Sequence, residues 1–197
     1  MEHAKHAAAD QTKRALAEAL KRKMAAKPIE KITIQELTDA CGIRRQNFYY
    51  HFEDIYDLMC WMFQEEAMPL LEAYEGVQLW QEGMLCFLHF LEENRKMCAS
   101  AINSTGREYL KRFFEQNVQA IIGRTAKQVG EAVGVFRAGR QTADVELMTR
   151  YYTLVFVALS ERWVLGELDR TPEQLVAFMD QVLQDHIRGA KLRLAGE

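Results

Sequence analysis

Residues 42–52 read GIRRQNFYYHF. Between Arg44 and His51 stand two guanidiniums, two carboxamides, two phenols and an imidazole, around the single apolar ring of Phe48. Asn and Gln side chains pair bidentately with adenine, and Arg pairs with guanine. Phenol hydroxyls and the free amides at a helix start suit phosphate oxygens. Each of these polar types can touch a phosphate or a base edge, but a solvated helix face is built from the same types. The elements that carry the segment must separate the two readings.

Those elements are helical. Period-3.6 apolar patterns dominate the chain, no alternating stretch is long enough for a strand, and the fold class is all-α with about nine helices. A first helix is expected over about 10–26, with Leu16, Leu20 and Met24 on one face and Lys13, Arg14, Lys21, Arg22 and Lys23 around the rest. Lys27-Pro28 ends it, because the residue before proline is pushed out of the α region. Thr33-Ile34-Gln35-Glu36 has the form of a capping box that opens a short helix with Ile34, Leu37 and Cys41 inward. Cys41-Gly42-Ile43 is a tight turn, with glycine supplying a positive φ. A third helix follows over 44–51 and a fourth over 54–72. At about 100° per residue, Phe48, Phe52, Ile55 and Met59 form an inward stripe. Gln46 and Tyr50 lie opposite, flanked by Arg45, Asn47 and Tyr49. A basic helix behind a helix–turn–helix is the arrangement that lays a recognition helix in the major groove.

The run ITIQELTDACGIRRQNFYYHFEDIYDLM resembles the N-terminal domain of the TetR family of bacterial transcriptional regulators. The landmarks are Gly42, Phe48, Tyr49, His51 and Phe52, and the match covers about residues 10–62. IRRQNFYYHF followed by DLMCWMF further resembles the subgroup that activates dihydroxyacetone-kinase operons. The resemblance implies a DNA-binding domain over 1–53 and an effector-binding and dimerisation domain over 54–197. It implies DNA contacts from Thr33, Gln35, Arg44, Arg45, Gln46, Asn47, Tyr49, Tyr50 and His51. The expected partners are a palindromic duplex, a second copy of the chain, and a small-molecule effector or co-regulator protein. One position departs from the pattern: where members commonly carry a phosphate-contacting lysine, this chain has Ile55, beside acidic Glu53 and Asp54.

The body is read as helices over 77–92, 95–102, 107–133, 143–166 and 172–189, with a loop over 134–142. Thr171-Pro172-Glu173-Gln174 supplies an N-cap, a proline in first position and a glutamine three residues after the cap. The 143–166 helix is apolar over a wide arc that includes Val145, Met148, Tyr152, Val155, Leu159 and Trp163. With Phe178 and Val182 of the last helix, Val155, Leu159 and Trp163 are the candidates for a helical dimer interface; closure of a monomer core is the competing reading. Polar and aromatic groups within apolar helices mark a candidate effector pocket: Trp61, Trp80, His89, Asn103, Tyr109, Asn117 and Tyr152. A satisfied core explains the same residues, and His89 in particular.

Residues 1–52 hold ten Lys+Arg against six Asp+Glu, a balance of +4 in a chain of net charge -3. A basic end on an acidic body points to one polyanion-facing region. The four cysteines form no C-x-x-C pair and sit among apolar residues, as reduced thiols do. No apolar run approaches the roughly 20 residues of a membrane span, and no secretory h-region is seen, so a cytoplasmic location is expected. No H-E-x-x-H, G-x-S-x-G, G-x-G-x-x-G or P-loop pattern occurs. An enzyme, a metal site and a cofactor are therefore not expected, and no catalytic residue is named. A module that binds only other proteins is the remaining alternative.

Overall fold

The computed structural model describes residues 2–73, 79–133 and 142–195. Among them are ten α-helices, one 3-10 turn and no strand. The helices are α1 (Glu2–Met24), α2 (Ile34–Cys41), α3 (Arg45–His51), α4 (Ile55–Glu66), α5 (Met68–Glu72), α6 (Trp80–Glu93), α7 (Arg95–Ile102), α8 (Arg107–Val133), α9 (Thr142–Val164) and α10 (Pro172–Ala195), and the 3-10 turn is Ile29–Lys31. The tenth helix arises because the expected 54–72 helix is two: α4 stops at Ala67. Pro69 has no N–H to donate to Glu65, so the ladder breaks there. The expected loop over 134–142 lies outside the described residues except for Thr142, as do Val77 and the side chain of Val145.

The chain packs as two compact units. The first contains Met1–Ala67 and Glu93–Phe113, so it exceeds the 1–53 segment marked by the motif. Its centre is Leu16, Leu20, Met24, Leu37, Phe48, Leu58, Met59, Met62 and Phe63, all buried. α1 packs against α2, α4 and α7, and α2 packs against α3. Each such Leu, Phe or Met contributes about 1.5–3 kcal/mol on leaving water.

The capping box at α2 is complete. The Glu36 N–H donates to Thr33 Oγ1 at 3.2 Å and the Thr33 N–H donates to Glu36 Oε2 at 2.8 Å. Lys27 Nζ donates to Glu36 Oε1 at 2.6 Å. The Lys27 bond foremost, then the Thr33 amide, hold the Glu36 carboxyl at about 2, well below its ordinary 4.5. A depressed folded-state value stabilises the fold above the ordinary pKa, and that contribution fades as pH falls from about 4.5 towards about 2. Glu36→Gln is therefore expected to flatten the acid limb: urea midpoints taken across this window should fall less in the variant than in the parent. Equal declines would remove Glu36 from the account of acid stability.

The second unit contains Met68–Glu92 and Phe114–Glu197. Its interior includes Phe87, Leu88 and Leu91 of α6, Val118 and Ile121 of α8, Phe156 and Trp163 of α9, and Leu175 and Val176 of α10. Phe87 meets Phe114 and Phe156 with ring centroids 6.1 and 5.7 Å apart. At the start of α10 the Gln174 N–H donates to Thr171 Oγ1 at 3.3 Å and the Thr171 N–H donates to Gln174 Oε1 at 3.1 Å. This is a reciprocal cap ahead of Pro172.

Candidate nucleic-acid interface

α2 ends at Gly42, which takes φ 65° in the left-handed region that favours glycine. The Ile43 N–H returns to the Thr38 carbonyl at 3.0 Å, and the buried Thr38 hydroxyl donates back to the Ile34 and Gln35 carbonyls. The turn is thereby closed with its backbone satisfied, and it delivers the chain into α3. Arg44 is the extended residue ahead of α3, and no side chain caps this helix. Its position rests on Phe48, which is fully buried and meets the rings of Tyr49 and Phe52 at 5.7 and 5.8 Å. Phe52 continues the aromatic chain to Trp61 at 5.8 Å.

With Phe48 inward, the outer face of α3 is polar. Arg44, Arg45, Gln46, Asn47, Tyr49 and Tyr50 are all exposed, Tyr50 at 84%. Arg45 Nη2 donates to the Tyr49 hydroxyl at 2.9 Å, and the guanidinium lies 5.5 Å from the Tyr49 ring centroid. This pairing holds the arginine to the helix and leaves the rest of its donor fork for another acceptor. His51 is half-buried, and burial foremost, then the charge of Lys13, lower its pKa. At neutral pH it is an uncharged imidazole, fitted for a hydrogen bond and not for charge pairing with phosphate. Thr33 and Gln35 are exposed at the start of α2, Thr33 in the capping box and Gln35 donating to Asp39 Oδ1 at 2.7 Å.

Several basic residues of α1 serve the unit itself. Lys21 pairs with Glu66 at 2.5 Å, Arg14 with Glu65 at 3.8 Å and Lys23 with Glu36 at 4.0 Å, while Lys13 lies over the Trp61 ring. The positive balance of residues 1–52 is thus partly internal. The acidic corner before α4 has a local cause as well. Asp54 accepts the Tyr56 and Asp57 amides at 2.8 Å each, and Asp57 accepts the Glu53 N–H at 3.0 Å. These carboxylates cap α4 where its dipole favours negative charge, and Ile55 sits half-buried beside them.

The candidate effector residues are divided between the units: Trp61, Asn103 and Tyr109 belong to the first, and Trp80, His89, Asn117 and Tyr152 to the second. His89 is flanked by Glu92 at 3.6 Å and Glu173 at 3.2 Å. The Tyr152 hydroxyl meets His186 Nδ1 at 2.5 Å. Burial foremost pushes the Tyr152 phenol up to about 12, so it keeps its proton at neutral pH. Of the interface candidates, Val155 and Phe178 are exposed, Leu159 and Val182 are intermediate, and Trp163 is buried at 1%. The Trp163 indole N–H donates to the Arg170 carbonyl at 2.7 Å, so this ring serves its own unit and has no surface to give. Among the described residues, no group of three or more His, Cys, Asp or Glu could hold a metal ion, and no helix is long and apolar enough to cross a membrane. Burial pushes the Cys60 and Cys98 thiols up to about 12, so neither is a thiolate at neutral pH.

The body decides the family. A model of the TetR type, described as transcriptional regulator C-terminal region, matches residues 78–185, more than half of the chain. The chain belongs to the TetR family of transcriptional regulators. It is 29% identical over 84 residues to the HTH-type dhaKLM operon transcriptional activator DhaS of Lactococcus lactis subsp. lactis (strain IL1403). That alignment spans 43% of this chain and 45% of the relative, under half of either. The solved dihydroxyacetone kinase operon activator DhaS superposes with a TM-score of 0.69 at 19% identity, over 90% of this chain and 96% of that one. A structure assigned to the TetR-family transcriptional regulators, from Rhodococcus sp., gives 0.58 at 18% identity, over 92% and 97%. At these identities the two structures establish the fold: an all-helical TetR architecture.

Proposed function

We propose that this TetR-family chain is a DNA-reading transcriptional regulator that works as a homodimer on a palindromic duplex and answers to a small-molecule effector or co-regulator protein. The observation that carries the reading is the polarity of α3: Phe48 fully buried, and Arg45, Gln46, Asn47, Tyr49 and Tyr50 turned to solvent around it. Amide, phenol and guanidinium groups on a seven-residue helix behind a glycine turn match the donor and acceptor pattern of a major groove. The second unit supports the dimer. Leu147, Met148, Tyr151, Leu154 and Val155 form an exposed apolar stripe on α9, and Phe178 is 57% exposed on α10. Trp80, His89, Asn117 and Tyr152 of the second unit are the residues we assign to the effector response. If effector and DNA favour different states, each must weaken the other by the same coupling free energy, typically ~1–3 kcal/mol.

Titration of labelled duplex at several salt concentrations tests the reading. Affinity is expected to fall steeply, by about 0.9 log units per log unit of salt for each phosphate neutralised. Asn47→Ala should then cost ~1–3 kcal/mol on a preferred duplex and relax its specificity. A flat salt response would turn the assignment towards a protein-binding module.

A further inference from the structure

The turn between α7 and α8 belongs to the first unit, although it lies about fifty residues beyond the helix–turn–helix. Its Thr105 N–H donates to Glu30 Oε1 at 2.8 Å, and its hydroxyl shares a hydrogen bond with the Tyr56 phenol at 2.7 Å. Gly106 lies directly against the Tyr56 ring, where a Cβ would overlap ring carbons. The Ser104 hydroxyl donates to the Ala101 carbonyl at 2.6 Å and accepts the Gly106 N–H at 3.1 Å, which fixes the shape of the turn.

The two partners of Thr105 have a common property. Glu30 sits on the 3-10 turn that leads into α2, and Tyr56 sits in the first turn of α4, which leaves α3. The reading motif is the segment between them. One residue therefore ties both flanks of that motif, by its backbone on one side and its side chain on the other, while its glycine neighbour admits the ring that makes the second tie. We infer that Thr105 and Gly106 are positioning residues for the reading helix α3, an inference that rests on the DNA-reading function proposed above. They touch no base or phosphate. They act by fixing the entrance and exit of the segment that does.

The test uses the full-length chain and a duplex selected by it from a random pool, with an unselected duplex of equal length for comparison. Thr105→Val, Tyr56→Phe and Glu30→Ala each remove one tie. Each is expected to weaken binding to the selected duplex by about three- to tenfold, the scale of one net hydrogen bond, with little change on the unselected one. Thr105→Ser keeps the hydroxyl and should restore the selected-to-unselected ratio. Amide exchange over Gln46–Tyr50 should quicken in the three weakened variants, more than the change in global stability accounts for, and recover in Thr105→Ser. Gly106→Ala should lose at least tenfold; if it does not fold, the Tyr56 and Thr105 arms decide. Folded Tyr56→Phe, Thr105→Val and Glu30→Ala variants with the parent's ratio and parent exchange over α3 would overturn the inference while leaving DNA reading in place. A parent chain that selects no duplex would remove both.

Discussion

Phe48→Ala is expected to destabilise the first unit by ~3–5 kcal/mol, the usual cost of truncating a buried aromatic side chain, and to abolish duplex binding. Domains are stable by only ~5–15 kcal/mol, so the loss takes a large share of the total. The site gives little opportunity for collapse. α3 has seven residues and no side-chain N-cap, and Phe48 is its one buried residue. A helix this short does not persist without tertiary support. The ring also bridges Tyr49 and Phe52, which leads on to Trp61. Its removal unseats the outer face of α3 as well as the interior. Urea unfolding followed by fluorescence, beside a duplex titration, measures both consequences. Gln46→Ala on the exposed face is the matched comparison, expected to change stability by less than ~0.5 kcal/mol. A Phe48→Ala protein with the parent's midpoint would show that α3 is held by something other than its aromatic anchor.

The features legible in sequence are those written by near neighbours. The Thr33–Glu36 box, the Gly42 turn and the reciprocal Thr171–Gln174 cap each depend on residues a few positions apart, and each is present; of the expected inward stripe, Phe48, Phe52 and Met59 are buried and Ile55 is half-buried. Periodicity located α8 at Arg107–Val133, where the structure has it. Contacts between distant residues leave no such trace. Nothing in the composition of α1 says that Lys21 reaches Glu66 across 45 residues, so its charge reads as a DNA-facing decoration until the pair is seen. Nothing local assigns Glu93–Phe113 to the first unit. The wide apolar arc of α9 is legible in sequence, with Val155, Leu159 and Trp163 on one side and Tyr151, Leu154 and Phe156 on others, but which of these residues the unit buries is not. Trp163 faces its own interior, whereas Tyr151 and Leu154 face solvent.

The same limit explains the corner at Glu53-Asp54. Read for charge alone, two carboxylates and an isoleucine where a lysine is common count against phosphate binding. Their geometry answers a different requirement, since Asp54 and Asp57 satisfy three backbone amides that α4 and its approach would leave open. In the proposed DNA-reading role, the cations nearest the motif's other end are Arg44 and Arg45, which flank the start of α3.

Leu154→Arg is expected to convert a dimer into monomers and to weaken duplex binding by ~100-fold or more. Leu154 is 45% exposed within a stripe formed with Leu147, Met148, Tyr151 and Val155. A contiguous apolar face of this kind on a folded unit marks an interaction surface, and a symmetric pair buries the same patch on both copies. An arginine there would be buried twice at one two-fold contact, and an unpaired buried charge costs several kcal/mol. The monomer has no comparable objection. The position is solvated in the single chain, and arginine and leucine have nearly equal helix propensity. The effect on DNA follows from valence. In the proposed dimer, two reading helices would engage two half-sites with an effective concentration in the millimolar range, and the gain of ~10²–10⁴ over one helix would vanish with the dimer. Sedimentation equilibrium reads the assembly, and the salt-dependent duplex titration reads the loss. Trp163→Ala separates this from damage to the fold: its ring is buried and bonded within one chain, so it should lower the unfolding midpoint at every protein concentration, whereas Leu154→Arg should lose only the concentration-dependent part that the partner supplies. A Leu154→Arg chain that remains dimeric with undiminished affinity would place the partner on another face.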